Sequence, residues 1–176
     1  EAREGYNIPW ALTLHMERKA GGLNSGDCLR LVLSGMELGI YSYFLFPEDR
    51  ASVHMALNLA AASGECAFCL FLPRGFRLKE NLDELPFPAN VILGVDGCEP
   101  GWEERVELLR ERKMLYLIYR RYSSQADVEE ILSDTWTRRV MPYAGLAIVL
   151  ISSAHSPLRS GCPKYPLYQY ALDTPM

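Results

Sequence analysis

The sequence predicts an α/β fold, a six-unit parallel (β/α)6 partial TIM barrel, with an open doubly wound sheet as the alternative. Six short apolar segments alternate with helical patterns along the 176 residues. Such strict alternation is typical of parallel strands joined by right-handed crossovers, and no hairpin turn signal separates consecutive strands. A complete eight-unit barrel takes about 250 residues. Six units in this length therefore favour a partial barrel or an open sheet.

Each predicted strand is a short apolar run with breakers or polar residues at its ends. The segment 90–97 shows this best, because four of its residues are Val, Ile or Leu, with Pro88 before it and Gly101 after it. An uninterrupted apolar run of this length is typical of a strand whose two faces are both covered, as in a parallel sheet. The predicted strands start near Ala11, Ile40, Cys66, Asn90, Met114 and Leu146.

The segments between the predicted strands carry helix-boundary signals. Ser25 is a suitable N-cap before apolar residues at helical spacing, and Gly39 stands where a left-handed C-cap is expected. Ser124, with Asp127 three residues later, resembles a capping box. These signals predict a helix after each of the strands that they follow.

No linker is apparent, so we expect a single α/β domain over residues 1–176. Its last part, 155–176, is rich in Pro and Tyr and has no period, which predicts an extended tail. The net charge of −4 gives no electrostatic footprint for nucleic acid. The longest apolar run, residues 145–151, is too short to cross a membrane.

Cysteine content favours a cytoplasmic protein. The five cysteines have no regular spacing, which argues against a disulfide framework and for a reducing compartment. Residues 1–7 also lack the basic-then-apolar order of a signal peptide. Cys66 and Cys69 form a C-x-x-C motif within a predicted strand, where a spacing of three sends the two side chains to opposite faces.

Three segments in the middle of the chain resemble the radical S-adenosylmethionine (radical SAM) family. Residues 69–75, 78–85 and 91–97 match a pattern in which a strand ending in Thr-Asn-Gly precedes a short helix and a strand ending in Ser-Leu-Asp-Gly. Residues 44–49 fall where that family has Gly-Gly-Glu-Pro, and 12–16 where its first strand runs toward the cluster loop. The resemblance covers about residues 8–155 and implies a six-unit partial barrel.

The family's cluster motif is missing from this chain. Family members carry Cys-x3-Cys-x2-Cys after the first strand, and its thiolates hold a 4Fe–4S cluster. The corresponding loop here, residues 17–24, contains no cysteine, and Pro47-Glu48 stands in place of Glu-Pro. Because cluster ligation needs those thiolates, the resemblance implies a domain without the iron–sulfur cluster. No cofactor or metal is predicted, and S-adenosylmethionine is possible by family resemblance only.

Polar residues just beyond the predicted strands form the candidate site. The carboxyl ends of parallel strands meet at one edge, where ligands bind in α/β folds. The alternative is that these residues are simply solvated loop starts. The candidate ligand-binding residues are Glu48, Arg74, Asp96, Arg120 and His155. The wider expected rim adds Glu17, Asp49, Tyr122 and Ser153.

Three functions are compatible with this rim. The first is a radical-SAM-like pseudoenzyme, an accessory protein that binds a small molecule, a peptide or a partner enzyme. The second is a metal-independent enzyme that uses Asp96, Glu48 and His155 for acid–base chemistry. The third is a radical SAM enzyme whose cluster ligands lie elsewhere. No phosphate loop, nucleophile elbow or metal-ligand spacing appears in the sequence.

Overall fold

The computed structural model of the chain describes residues 8–16, 24–152 and 164–173. Within them, six strands form one parallel sheet in the order β1-β2-β3-β4-β5-β6. The sheet curls into a half-barrel, which confirms the predicted partial barrel. A doubly wound sheet would reverse its strand order at a switch point. The strands are β1 Ala11–Met16, β2 Ser42–Pro47, β3 Ala67–Phe71, β4 Val91–Asp96, β5 Tyr116–Tyr122 and β6 Ile148–Ser152.

Helices connect consecutive strands, as the alternating pattern predicts. A 3₁₀ turn at Met141–Tyr143 leads from the last of these connecting helices toward β6. The helices are α1 Ser25–Glu37, α2 Arg50–Ala62, α3 Leu78–Asn81, α4 Trp102–Glu111, α5 Gln125–Leu132, α6 Thr135–Val140 and α7 Lys164–Asp173. Within the described chain, no helix has the length and apolar character needed to cross a membrane.

Strand alternation divides the sheet into a convex and a concave face. Successive side chains point to opposite faces, so Tyr43 and Leu45 join the main core with helix residues such as Val32. Phe71, Leu117 and Tyr119 form a separate cluster on the concave face. Cys66 belongs to the main core and Cys69 packs against the concave cluster, on opposite faces as expected for the C-x-x-C motif.

The helix caps follow the predicted chemistry with one correction. Asn24, not Ser25, is the N-cap of α1, because the Asn24 side chain accepts a hydrogen bond from the backbone N–H of Asp27. The capping box of α5 is confirmed, with Ser124 as N-cap and Asp127 as its reciprocal partner. Gly39 follows α1 with a φ of 87°, the left-handed conformation that favours glycine.

The extended-tail prediction is wrong for residues 164–173, which form α7. Leu167 is buried in a small cluster with Val128 and Ile131 of α5, and the Tyr170 hydroxyl donates to Asp134 Oδ1 at 2.5 Å. Pro166 obscures this helix in the sequence, but it lies in the first turn, where its missing N–H is not required. The remaining residues of the predicted tail lie outside the described residues.

Candidate functional site

A cavity of about 660 Å³ opens at the carboxyl ends of the strands. This is the edge where the sequence predicts the site. We call this cavity the mouth of the half-barrel. Residues of β1, β2, β4 and β5, of the loops that follow β2, β3 and β5, and of α5 surround it. Its lining consists of His15, Phe46, Pro47, Glu48, Leu72, Pro73, Arg74, Asp96, Tyr119, Arg121, Ser123 and Asp127.

Asp96 is a buried carboxylate at the end of β4, only 5% exposed. Its Oδ1 accepts a hydrogen bond from the backbone N–H of Cys98 at 3.0 Å, which fixes the side chain at the start of the turn. Within the described chain, its second oxygen has no hydrogen-bond partner. A carboxylate held in this way presents a free acceptor to the mouth.

Gly97, which follows Asp96, is required by close packing. A Cβ at this position would lie 2.9 Å from Ile118 Cγ2 and 3.2 Å from Trp136 Cζ2. Both atoms belong to buried side chains of the main core, which cannot retreat without disturbing the packing of α6. The Asp-Gly pair of the resemblance therefore also has a structural reason in this fold.

Tyr119 of β5 contributes a phenol to the same mouth. Its ring is 2% exposed and packs edge-on against Phe71, with ring centroids 5.0 Å apart. Burial, and then the charge of Asp96, raise the pKa of Tyr119 to about 12. The hydroxyl therefore stays protonated at neutral pH. No described residue is hydrogen-bonded to it, so it can donate to a ligand and accept from one.

An aromatic row crosses the concave face beneath these polar groups. His15 stacks on Phe46 with ring centroids 5.2 Å apart, and Phe46 stacks on Phe71 at 4.4 Å. Gly94 of β4 leaves room for this row, because a Cβ there would lie 2.8 Å from Phe71 Cδ1. His15 and Phe46 of this row line the mouth and give it an aromatic side.

Two arginines bring positive charge to the mouth. Arg74 lies in the loop after β3, and Arg121 of β5 places its Cζ 5.4 Å from the centroid of the Phe46 ring. Among the described residues, neither arginine forms an ion pair, and Glu48 forms none either. The mouth thus combines unpaired charges of both signs, since Glu48 and Asp96 are anionic and the two arginines are cationic.

Arg120 does not line the mouth, contrary to the prediction. The sequence placed Arg120 just beyond the fifth strand, whereas β5 continues to Tyr122, so Arg120 lies within the strand and alternation turns it to the convex face. Its guanidinium pairs with Glu130 at 2.8 Å and Asp127 at 3.2 Å and lies over the Trp136 ring. Arg121, its neighbour, takes the expected place.

The other rim residues divide into three groups. Glu48, Arg74 and Asp96 line the mouth as expected. Asp49 caps α2, and Tyr122 is buried against α5 and Leu167. His155 lies outside the described residues, as do Glu17 and Ser153.

The lining residues that the sequence interpretation missed include His15, Tyr119 and Arg121. His15 is exposed and stacks on Phe46. The available signal for all three was strand alternation: each belongs to the concave-facing set of β1 or β5.

No metal-binding constellation is found among the residues that the structure describes. None of their His, Cys, Asp and Glu side chains form a group of three or more that could hold an ion. Cys28, Cys66, Cys69 and Cys98 are free cysteines. The predicted cluster-free loop, 17–24, lies outside the described residues except for Asn24.

Comparison of the chain with protein-family models, curated proteins and solved structures finds no match. The radical SAM resemblance therefore remains a hypothesis that rests on the sequence motifs. The structure itself provides a half-barrel fold and a charged mouth. Function has to be argued from the mouth itself.

The environment of Asp127, at the edge of the mouth, indicates that the unfolding free energy falls in acid. Hydrogen bonds from the backbone N–H of Ser123, then from Ser124, and one from Arg120 hold the pKa of Asp127 well below its usual 3.8. A carboxyl group whose pKa is lower in the folded than in the unfolded state stabilises the fold at pH values above its unfolded-state pKa. This stabilisation is lost as the pH falls through the folded-state pKa. We expect Asp127→Asn to flatten the fall in unfolding free energy between pH 5 and pH 2, measured by urea titration. An unchanged acid slope would contradict this assignment.

Proposed function

We propose that the chain is a binding protein, a radical-SAM-like half-barrel without a cluster, that holds a small zwitterionic molecule or a peptide terminus at its mouth. The observation that carries this proposal is the free oxygen of buried Asp96 beside the Tyr119 hydroxyl, with Arg74 and Arg121 on the same cavity. Among the described residues neither of these two oxygens has a hydrogen-bond partner, and the register pairs Asp96 with Tyr119 on neighbouring strands, so one ligand group could contact both.

The inner groups favour a cationic or hydrogen-bond-donating part of the ligand. The Asp96 carboxylate accepts only, and the Tyr119 phenol can accept as well as donate. An ammonium group would satisfy both oxygens. Because Asp96 is 5% exposed, a bond to it would be shielded from water and stronger than one at the surface.

The outer groups favour an anionic part. Arginine matches the geometry of a carboxylate or phosphate through paired N–H donors. Arg121 also lies over the Phe46 ring, with its Cζ 5.4 Å from the ring centroid. The aromatic wall of His15 and Phe46 would cover an apolar or flat group of the same molecule. The free cysteines fit a reducing cytoplasm as its location.

One observation favours acid–base catalysis as a second candidate. His15, Glu48 and Asp96 line a single cavity, so an imidazole and two carboxylates could reach the same ligand. Turnover of a bound zwitterion that is lost on His15→Gln, while binding persists, would favour the enzyme. Iron and sulfide in anaerobically prepared protein would instead favour a radical SAM enzyme with displaced ligands.

S-adenosylmethionine is the first probe, because its amino-acid end carries an ammonium and a carboxylate and the sequence resemblance implies it. We expect calorimetric titration to detect binding, and Asp96→Asn to weaken it by about 1.5–3 kcal/mol, the range for a hydrogen bond to a charged group. Asp83→Asn is the matched control, since Asp83 pairs with Arg112 and does not line the mouth. Equal affinities of the Asp96→Asn variant and the wild type would contradict the proposed site. Failure of S-adenosylmethionine, amino acids and short peptides alike to bind would contradict the proposed function.

A further inference from the structure

Two neighbouring turns carry Arg74 and Asp96 to the mouth. In the first, the N–H of Phe76 donates to the carbonyl of Pro73 at 3.1 Å, which places Arg74 at the corner. In the second, the N–H of Glu99 donates to the carbonyl of Asp96 at 3.1 Å. The turns belong to different strand–helix connections, so their relative position depends on what joins them.

Glu99 joins the two turns through its side chain. Its Oε1 accepts from the backbone N–H of Gly75 at 2.7 Å, and its Oε2 accepts from Arg105 Nη1 of α4, also at 2.7 Å. Gly75 has a φ of 73°, the left-handed conformation that lets the turn close next to Arg74. The carboxylate thus holds one turn by its backbone and is itself held by a helix.

Burial and charge make this contact stronger than an ordinary surface ion pair. The side chains of Glu99 and Arg105 are 14% and 21% exposed. Burial alone would raise the pKa of Glu99, but the hydrogen bonds from Arg105 and Gly75 and the charges of Arg105 and Arg74 outweigh it, so the pKa lies below its usual 4.5. Glu99 is therefore ionised, and its contact with Gly75 is charge-assisted, at any pH near neutral.

We propose that Glu99 is a positioning residue of the mouth, which fixes the turn of Arg74 relative to that of Asp96 and so sets the distance between the anion-binding and cation-binding ends of the site. This inference rests on the proposed function for its ligand, although the clamp itself does not. Glu99 lies outside the cavity lining and acts through Gly75. A ligand that contacts both charged ends would therefore bind more weakly if Glu99 were removed.

Amide hydrogen exchange tests the clamp without any ligand. We expect the Gly75 amide of ¹⁵N-labelled protein to exchange about tenfold faster in Glu99→Ala than in the wild type, because its acceptor is gone. Glu99→Gln keeps an acceptor and should restore part of the protection. Glu84→Gln is the matched control, since Glu84 pairs with Arg50 at an exposed site away from the mouth. Unchanged Gly75 exchange in Glu99→Ala would overturn the inference.

A double-variant comparison tests the effect on the mouth. With S-adenosylmethionine as the probe, we expect Glu99→Ala to weaken binding about tenfold, and Arg74→Gln with Glu99→Ala to bind no more weakly than Arg74→Gln alone. Additive losses would overturn the positioning role, because Glu99 would then act independently of Arg74. If the wild type binds no S-adenosylmethionine, the proposed function loses that ligand. The Gly75 and Arg74 amide signals then decide whether Glu99 fixes the turn.

Discussion

Val95→Asp is expected to unfold the domain, whereas Asp96→Asn, one residue further along β4, is expected to leave it folded. Val95 is 2% exposed and packs in the main core on the convex face. A carboxylate there would be buried with no cation beside it, at a cost of about 4 kcal/mol or more in unfolding free energy. Asparagine at position 96 keeps the shape and the acceptor for Cys98, so we expect a loss of less than about 1 kcal/mol.

Urea unfolding followed by far-UV circular dichroism measures both variants. The contrast depends on strand alternation, which sends Val95 to the helices and Asp96 to the mouth. If Asp96→Asn unfolds the protein as well, Asp96 is a structural cap of its turn and the binding proposal loses its central residue. If Val95→Asp stays folded, the assignment of the two faces of β4 is wrong.

Asn90→Asp is expected to have the second-largest effect. Asn90 Nδ2 donates to three backbone carbonyls, those of Ala60 at 3.0 Å, Ser63 at 3.2 Å and Cys66 at 2.9 Å. The amide thus closes the connection between α2 and β3 onto the start of β4. A carboxylate would place oxygen against oxygen, so we expect a loss of about 3 kcal/mol or more at pH 7.

The pH dependence of the Asn90→Asp variant checks separately that the introduced charge causes the loss of stability. Carbonyl oxygens around the introduced carboxyl favour its protonated form, so its native pKa lies above the unfolded value and the loss of stability should shrink as the pH falls. Asn90→Ala, which removes the donors without adding charge, should lose about 1–3 kcal/mol independently of pH. A variant Asn90→Asp as stable as Asn90→Ala at pH 7 would show that the three contacts do not hold in solution.

The fold could be predicted from sequence because its strands are buried on both faces. Such strands appear as continuous apolar runs, and their alternation with helices admits few topologies. β4 is the clearest case, with proline before it and Asp96-Gly97 at its end. The helix α7 could not be predicted in the same way, because Leu167 is the one buried side chain described among residues 166–173 and the segment has no period.

The candidate site was predictable where a strand ends at a clear breaker. Glu48 and Arg74 each follow a proline, so the end of the strand is marked. β5 has no such mark, because Arg120 and Arg121 look like loop residues although the strand continues through them. Because the sequence placed the end of this strand before Arg120, it put the wrong arginine in the site. Its correction depends on the pairing with β6, which the sequence does not show.

Mass spectrometry of retained small molecules tests whether the mouth binds a zwitterion, as we propose. Wild-type protein, Arg121→Gln and Arg138→Gln would be equilibrated with a metabolite extract, washed and denatured, and the released molecules identified. Arg138 is the control because its side chain is 83% exposed on α6 and does not line the mouth. We expect the wild type and Arg138→Gln to retain the same zwitterionic molecules and Arg121→Gln to lose them. Retention of the same molecules by Arg121→Gln, or of no zwitterion by the wild type, would contradict the proposal.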